Sequence, residues 1–342
     1  MNTLQMVLPR VGEPEVIEPR STELGPLGPG QARVRVEVTG VSFAEQAMRR
    51  GKYYQQPAFP FVPGYDLVGV VEELHDPTPA GVHVGQRVAA LTKVGGWAEQ
   101  IVLDAADLVG VPDAVSSRDA ETVIINGLTA LRVLRLIDAR PGSTIVVLGA
   151  AGGVGSILVQ LARHAGLQVI GTAGPSQQDR LHAMSVTPID YRAEDVGARV
   201  HQLAPEGVAG VVDHVGGPGI HTSWRMLAHS GHLVSLSDMS VADANHPMIP
   251  FMRHYLRLQR WNLLPNGRRA TFFDIWAGHR DLHTYRRELA ADLQALFVHL
   301  ADGDIHAPID SVYPLDQAAV ALRHAEQGGL AGKILLEPNT RT

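Results

Sequence analysis

Residues 149–155, Gly-Ala-Ala-Gly-Gly-Val-Gly, carry the most explicit chemistry in the chain. Ala150, Gly152 and Gly155 fall on the three small positions of a G-x-G-x-x-G turn, with alanine at the first. Residues this small let the backbone turn tightly, let a pyrophosphate approach, and let the following helix pack close to its sheet. Gly153 and Val154 complete the turn at a helix start, where unpaired N–H groups and the positive end of the helix dipole favour an anion without a lysine. The five residues are therefore read as a dinucleotide-phosphate site.

The type of dinucleotide follows from what lies further along. An NAD site commonly places an acid at the end of the second strand, to bond the ribose hydroxyls. Here that position falls at Gly171-Thr172-Ala173, and no carboxylate occurs between Ala139 and Gln178. An acid would repel a 2′-phosphate. Its absence, with Thr172 at the strand end and Ser176, Arg180, Tyr191 and Arg192 downstream, favours NADPH.

The elements that must position these residues are legible around them. Ile145 to Leu148 reads as a strand entering the turn, and Ile157, Leu158, Leu161 and Ala162 recur at helical spacing after it. A second apolar run, Leu167 to Ile170, completes a βαβ unit. Upstream, residues 1–117 are mostly short β candidates separated by Gly and Pro, among them Ala32 to Thr39, Asp66 to Glu73, Arg87 to Leu91 and Trp97 to Leu103. Residues 118–136 are helix-compatible with a break expected at Gly127. Further strands are expected at Val208 to Val212 and Leu233 to Leu236, so the middle of the chain reads as a doubly wound parallel sheet. Tyr255 to Leu264 reads either as a strand or as the end of a helix, within a stretch, 241–280, that suits a subunit interface or a lid. Residues 284–301 form an amphipathic helix with Leu289, Leu293, Leu296, Phe297 and Leu300 on one face. Ile309 to Tyr313 and Lys333 to Leu336 are strand candidates flanking a helix over Leu315 to Gln327.

Composition bounds the function. With 342 residues, the chain has length for two cores, and 45 % hydrophobic with 19 % charged residues is ordinary for a globular enzyme. A net charge of −6 argues against a general nucleic-acid surface. The absence of cysteine excludes disulfides and thiolate metal sites. Neither a secretory h-region nor an apolar run of bilayer length is present, so a cytoplasmic protein with no membrane partner is expected. His279 and His283 stand four apart without an intervening glutamate, and read as a polar helix face rather than a metal site.

Several motifs in order resemble the medium-chain dehydrogenase/reductase superfamily, in its zinc-independent quinone oxidoreductase-like and enoyl reductase branch. They are Gly40-Val41-Ser42-Phe43-Ala44-Glu45, Arg49, Gly51-Lys52-Tyr53, Pro60-Phe61-Val62-Pro63-Gly64, Gly96-Trp97-Ala98-Glu99, Gly127-Leu128-Thr129-Ala130, the glycine turn, Val211 to Gly217, and Gly332-Lys333-Ile334. The resemblance implies an α/β protein: a GroES-like β-rich catalytic domain (1–117, rejoined by 282–342) and an inserted Rossmann domain with a doubly wound parallel sheet (118–281), the active site lying in the cleft between them. It also implies a homodimer, with the stretch around Arg253 to Leu264 as a dimer-forming edge. Thr129, Val215 and Lys333 are implied cofactor contacts, and Ser42, Glu45 and Asn126 implied polar neighbours of the reacting groups. Ser42 stands where the branch usually has asparagine, and Glu45 where it usually has aspartate. Where zinc-dependent relatives carry cysteine, a His-Glu pair and cysteine, this chain has Ser42, Tyr65-Asp66 and Asn126, so neither family zinc site can be built.

Without a metal to polarise a carbonyl, conjugate reduction is the easier chemistry, since hydride delivered to an electron-poor alkene needs only hydrogen bonds and a proton from the protein. Tyr53 matches the branch's G-x-Y tyrosine and is the expected donor, with Tyr54 or solvent as alternatives. The expected function is NADPH-dependent reduction of an enone or enoyl thioester. The alternatives are quinone reduction, and a non-catalytic NADPH-binding protein with a structural or regulatory role.

Overall fold

The computed structural model describes residues 2–77, 81–237 and 248–339. It divides into two compact units, Met1–Leu128 with Gly278–Thr342, and Thr129–Ala277. Residues 118–128 thus group with the first unit.

In the first unit, β1 (Asn2–Val7) pairs antiparallel with β2 (Glu18–Glu23). A seven-stranded sheet is built around β3 (Gln31–Val41), which pairs antiparallel with β4 (Asp66–Leu74), β6 (Gln100–Asp104) and the C-terminal β15 (Lys333–Glu337). The sheet runs on through β5 (Arg87–Leu91) to β7 (Val109–Gly110) on one side, and to β14 (Ile309–Pro314) on the other. Its inward Val and Ala side chains pack Val34, Val36, Leu67, Val71 and Val88 into one core. Trp97, Leu315, Leu322, Ile334 and Leu336 form a second, in which the last third of the chain closes over the first.

Three helices of this unit bear on the site. α1 (Phe43–Arg49) follows β3 directly, α2 (Ser117–Thr122) covers β3 and β4, and α3 (Ile125–Ile137) begins two residues after α2 ends. The break therefore falls at 123–124 and not at Gly127, which lies inside α3. Gly127 serves packing: a Cβ there would come 2.9 Å from Val123 Cβ and 3.0 Å from Leu296 Cδ1.

The second unit is a six-stranded parallel sheet. Its strands are β8 (Thr144–Val147), β9 (Gln168–Ala173), β10 (Thr187–Asp190), β11 (Val208–Asp213), β12 (Leu227–Ser235) and β13 (Arg269–Phe272). Their spatial order is β10-β9-β8-β11-β12-β13, which is the doubly wound arrangement with the switch point between β8 and β11. The helices between them are α4 (Gly153–His164), α5 (Gln178–Ala183), α6 (Val196–Leu203) and α7 (Ile220–Met226).

The ambiguous stretch is resolved as helix. α8 (Met248–Trp261) turns His254 and Leu258 inward and packs on β13, and the Asn262 side chain after it bonds both the N–H and the C=O of Ala270. The expected dimer edge around Arg253 to Leu264 is thus largely a helix face; residues 241–247 of the expected interface or lid lie outside the described residues. The amphipathic helix expected at 284–301 is α9 (Leu282–Ala301), capped by Asp281, and a last helix, α10 (Ala318–Gln327), precedes β15. Because α9 starts at Leu282, His279 precedes it and stacks edge-on against Tyr285, so the two histidines do not share a helix face.

Candidate functional site

In the second unit, the turn between β8 and α4 has the form that its glycines predict. Gly149 adopts a left-handed φ of 66°, and α4 starts at Gly153, behind the N-cap Gly152, with no side chain capping its N–H groups. A Cβ at Gly155 would collide with the Gly149 carbonyl oxygen, and one at Gly171 would stand 2.7 Å from Ala150 Cβ. The turn therefore separates into two layers. Ala150 and Gly155 are buried and serve close packing, whereas Gly152, Gly153 and Val154 remain partly open, with backbone donors for a phosphate. Ala150 and Gly155, expected at the cofactor, thus act through packing.

Thr172 is also a support. Its Oγ1 accepts from Gly149 N at 3.0 Å and its carbonyl from Ala150 N at 2.9 Å, so it is buried and spent on holding the turn. Beyond the carboxyl end of β9, Ser176 is exposed and Arg180 half-buried in the first turn of α5. Tyr191, 51 % exposed after β10, brings its hydroxyl beside Gly174. Val215, exposed after β11, donates its N–H to the buried Asp213, which also receives Gly216 N and Ser223 Oγ. Thr129, nearly buried, opens this unit on α3.

Sequence reasoning passed over His214. Its ring lies against Gly149, and Nδ1 sits 3.0 Å from Leu148 O, at the switch point of the sheet. Desolvation by the surrounding atoms, partly offset by Asp213 and the Leu148 carbonyl, lowers its pKa although the side chain still reaches solvent, and because a carbonyl only accepts, Nδ1–H donates to Leu148 O. The signal was its place between Asp213 and the Gly216-Gly217 pair that follows β11.

The first unit gathers the remaining groups. Ser42 and Glu45 fold onto each other as the capping box of α1: Glu45 Oε2 accepts from Ser42 N at 2.8 Å and from Ser42 Oγ. The other oxygen, Oε1, accepts from Tyr65 N at 2.7 Å. Burial, helped by the charge of Asp66 and opposed by Ser42, raises the Glu45 pKa. Both residues, expected as polar neighbours of the reacting groups, are bonded to each other, and Glu45 also to the Tyr65 backbone. Arg49 bonds Glu326 and the Gly12 carbonyl and so anchors α1.

Tyr65 is a residue that sequence reasoning underrated. It occupies a position where zinc-dependent relatives carry a ligand, it is 3 % exposed, and its hydroxyl lies 2.8 Å from the Tyr53 hydroxyl. Tyr53 stacks on Tyr54 at 4.8 Å between ring centres. Asn126, 8 % exposed in the first turn of α3, makes no hydrogen bond to a described residue.

Lys333, expected at the cofactor, is sealed inside this unit. Its Nζ lies 2.6 Å from Asp66 Oδ2 and 2.8 Å from Glu121 Oε1, with all three side chains almost without exposure. Burial and the Asp66 charge, against the pull of Lys333, raise the Glu121 pKa well above its usual value. Burial opposes the charge on Lys333, but Asp66 and Glu121 outweigh it and raise its pKa. Asp66 Oδ2 also accepts from Ile125 N at 3.0 Å, so the cluster fixes the start of α3 and hence Asn126. Its ammonium is therefore consumed internally. A zinc ion of the family type does not fit here: Ser42, Tyr65 and Asn126 offer hydroxyls and an amide, and Asp66 is bound to Lys333.

Known proteins agree with this architecture. The alcohol dehydrogenase GroES-like domain family matches residues 28–113, and the zinc-binding dehydrogenase family matches residues 181–336. The synaptic vesicle membrane protein VAT-1 homolog of Rattus norvegicus is 30 % identical, over 91 % of this chain and 78 % of its own length. The chain belongs to the medium-chain dehydrogenase/reductase superfamily, in its zinc-independent quinone oxidoreductase-like branch. A Pseudomonas syringae quinone oxidoreductase structure superimposes with a TM-score of 0.84 at 29 % identity, covering 99 % of this chain and 100 % of that one. A mycobacterial structure described as complexed with NADPH gives 0.82 at 27 %, covering 98 % and 100 %. The protein is an oxidoreductase that uses a nicotinamide cofactor. No helix of the described residues is long and apolar enough to cross a membrane.

Proposed function

We propose that the protein is an NADPH-dependent, zinc-independent reductase of an activated carbon–carbon double bond in an enone or enoyl thioester. The observation that carries this reading is the Tyr53–Tyr65 hydroxyl pair, 2.8 Å apart, in a unit where Glu45 and Lys333 are already paired internally. A nicotinamide cofactor held at Gly152, Gly153 and Val154 would supply the hydride for the β-carbon. The α-carbon of the resulting enolate takes the Tyr53 hydroxyl proton, and water restores that proton to the phenolate. Transfer from a positioned side chain is typically worth about 10²–10⁴-fold. Preference for NADPH over NADH is supported by the acid-free end of β9, with Ser176, Arg180 and Tyr191 around it.

The test is NADPH consumption against enones, enoyl thioesters and quinones, with product analysis. Turnover of an alkene that drops at least about a hundredfold in Tyr53→Phe agrees with the reading, and unchanged turnover sinks the donor role. Quinone reduction is the second reading, favoured by the likeness to the Pseudomonas syringae enzyme. It needs no proton from Tyr53, so quinone turnover that survives Tyr53→Phe, with no alkene turned over, selects it.

We further propose a cytoplasmic homodimer. Met252, Leu256, Leu263 and Leu264 are exposed on and just after α8, which supports a second copy as their cover. Light scattering of Leu256→Asp tests this: a monomer is expected, and an unchanged mass excludes this face. Cell fractionation tests the compartment.

A further inference from the structure

Tyr65 is held more tightly than a core aromatic requires. Its N–H donates to Glu45 Oε1 at 2.7 Å, and its carbonyl accepts from Thr92 N at 2.8 Å and Lys93 N at 3.0 Å. Lys93 makes its bond from a left-handed backbone, φ 67°, which a side-chain-bearing residue adopts only where surrounding contacts hold it. The lysine then doubles back, with its Nζ 2.6 Å from Gln55 Oε1 and 6.0 Å from the centre of the Tyr53 ring. Three main-chain bonds and a strained residue thus fix one buried phenol, edge-on to Tyr53 with ring centres 6.4 Å apart. The hydroxyl–hydroxyl contact is the polar end of that arrangement.

Either hydroxyl can be the donor, but only one direction suits proton transfer. If Tyr53 donates to Tyr65, its proton points away from a substrate. If Tyr65 donates to Tyr53, the Tyr53 proton is directed elsewhere, and its oxygen is already solvated for the negative charge that it acquires when the proton leaves. A donor preset toward developing charge is worth more in a buried site than in water, because it need not reorganise during the reaction.

We propose that Tyr65 is the positioning residue of the proton donor: its hydroxyl donates to Tyr53 Oη and stabilises the phenolate that remains after the proton moves to the substrate α-carbon. No proton leaves Tyr65. The O–H bond of Tyr53 breaks, a C–H bond forms on the substrate, and water later reprotonates Tyr53. Ser42 and Glu45 acquire their role through this arrangement, because the capping box that holds α1 also holds the Tyr65 backbone. This rests on the donor role proposed for Tyr53.

The experiment is a double-mutant cycle of Tyr53→Phe and Tyr65→Phe, read in kcat and KM for the alkene that the substrate panel identifies. Tyr65→Phe is expected to lower kcat about ten- to hundredfold, the worth of one hydrogen bond to an ionised oxygen, with KM values within about twofold. In the Tyr53→Phe background, the same change is expected to have no further effect. Equal losses in both backgrounds, or a kcat within twofold of the parent, overturn the proposal.

A substrate-free readout separates this from failure of the donor role. Ultraviolet difference titration follows tyrosine ionisation in the protein alone, and the step that disappears in Tyr53→Phe belongs to Tyr53. Tyr65→Phe is expected to move that step to higher pH, as a phenolate losing its hydrogen-bond donor must. A step that stays in place overturns the Tyr65 role, whatever Tyr53 does in turnover. The residues facing the pair are Tyr54, Lys93 and, through the Tyr65 backbone, Glu45; Lys93→Met serves as the control for a general loss of positive charge.

Discussion

Replacing Lys333 by methionine keeps the stem and deletes the ammonium from a cluster in which Lys333, Asp66 and Glu121 are almost wholly shielded from water. Asp66 then loses its counter-ion at 2.6 Å and keeps only the Ile125 N–H as a strong donor on Oδ2, while Oδ1 has no donor facing it. Removing one partner of a buried pair costs about 3–5 kcal/mol, because the remaining charge is left without compensation. In a folding unit of this size, one kcal/mol moves the thermal midpoint roughly 2–4 °C, so the first unit is expected to melt about 6–20 °C lower at pH 8. Glu121→Gln gives the complementary result. Glu121 keeps its proton when folded, with its pKa raised from 4.5, whereas the unfolded chain releases that proton near 4.5. The folded state binds the extra proton, so this group's contribution falls as pH rises above about 4.5 toward the folded value. The amide removes that slope, and Glu121→Gln is expected to gain on the parent between pH 5 and pH 8. Calorimetry at the two pH values checks both variants. A Lys333→Met midpoint within 2 °C of the parent at pH 8 would refute a charged Asp66 balanced by Lys333.

Three further outcomes follow from the geometry. Gly155→Ala places a methyl against the Gly149 carbonyl and is expected to weaken NADPH binding at least about tenfold by fluorescence titration, because the turn must open to admit it. Ser176→Asp puts a carboxylate just beyond the end of β9; the NADPH dissociation constant should rise roughly tenfold with little change for NADH, by like-charge repulsion of the 2′-phosphate. Ser42→Ala removes the side-chain half of the α1 capping box and should lower stability by about 1 kcal/mol in denaturant unfolding. It should also lower kcat through the loosened Tyr65 backbone, and a stability loss without a kcat loss would separate the cap from the site.

Much of the fold was legible because it rests on local rules. The period-two run at Ala32 to Thr39 and the glycine turn each announce their conformation, and both stand where expected. Gly127 misled because a helix tolerates glycine where a neighbour presses close, and Leu296, nearly 170 positions away, is invisible to a local pattern. The site was less legible. Ser42, Glu45 and Lys333 have residue types suited to catalysis, and only three-dimensional partners show that their polar atoms are already used. Thr172 and Ala150 sit in the right motif but on its buried layer. Tyr65 was noticed only as a position lacking a metal ligand, since nothing in sequence brings residues 53 and 65 to hydrogen-bonding distance.

The place of β15 between β14 and β3 in the sheet of the first unit joins the two ends of the described chain. The ladder between β14 and β3 needs residues 333–337, and the Lys333–Asp66 contact spans 267 positions. The second unit is continuous from 129 to 277, and is therefore complete while the first still lacks its closing strand. Residues 129–277 precede residues 333–337 in the chain, so every strand of the second unit's sheet is available before the strand that fills the place between β14 and β3.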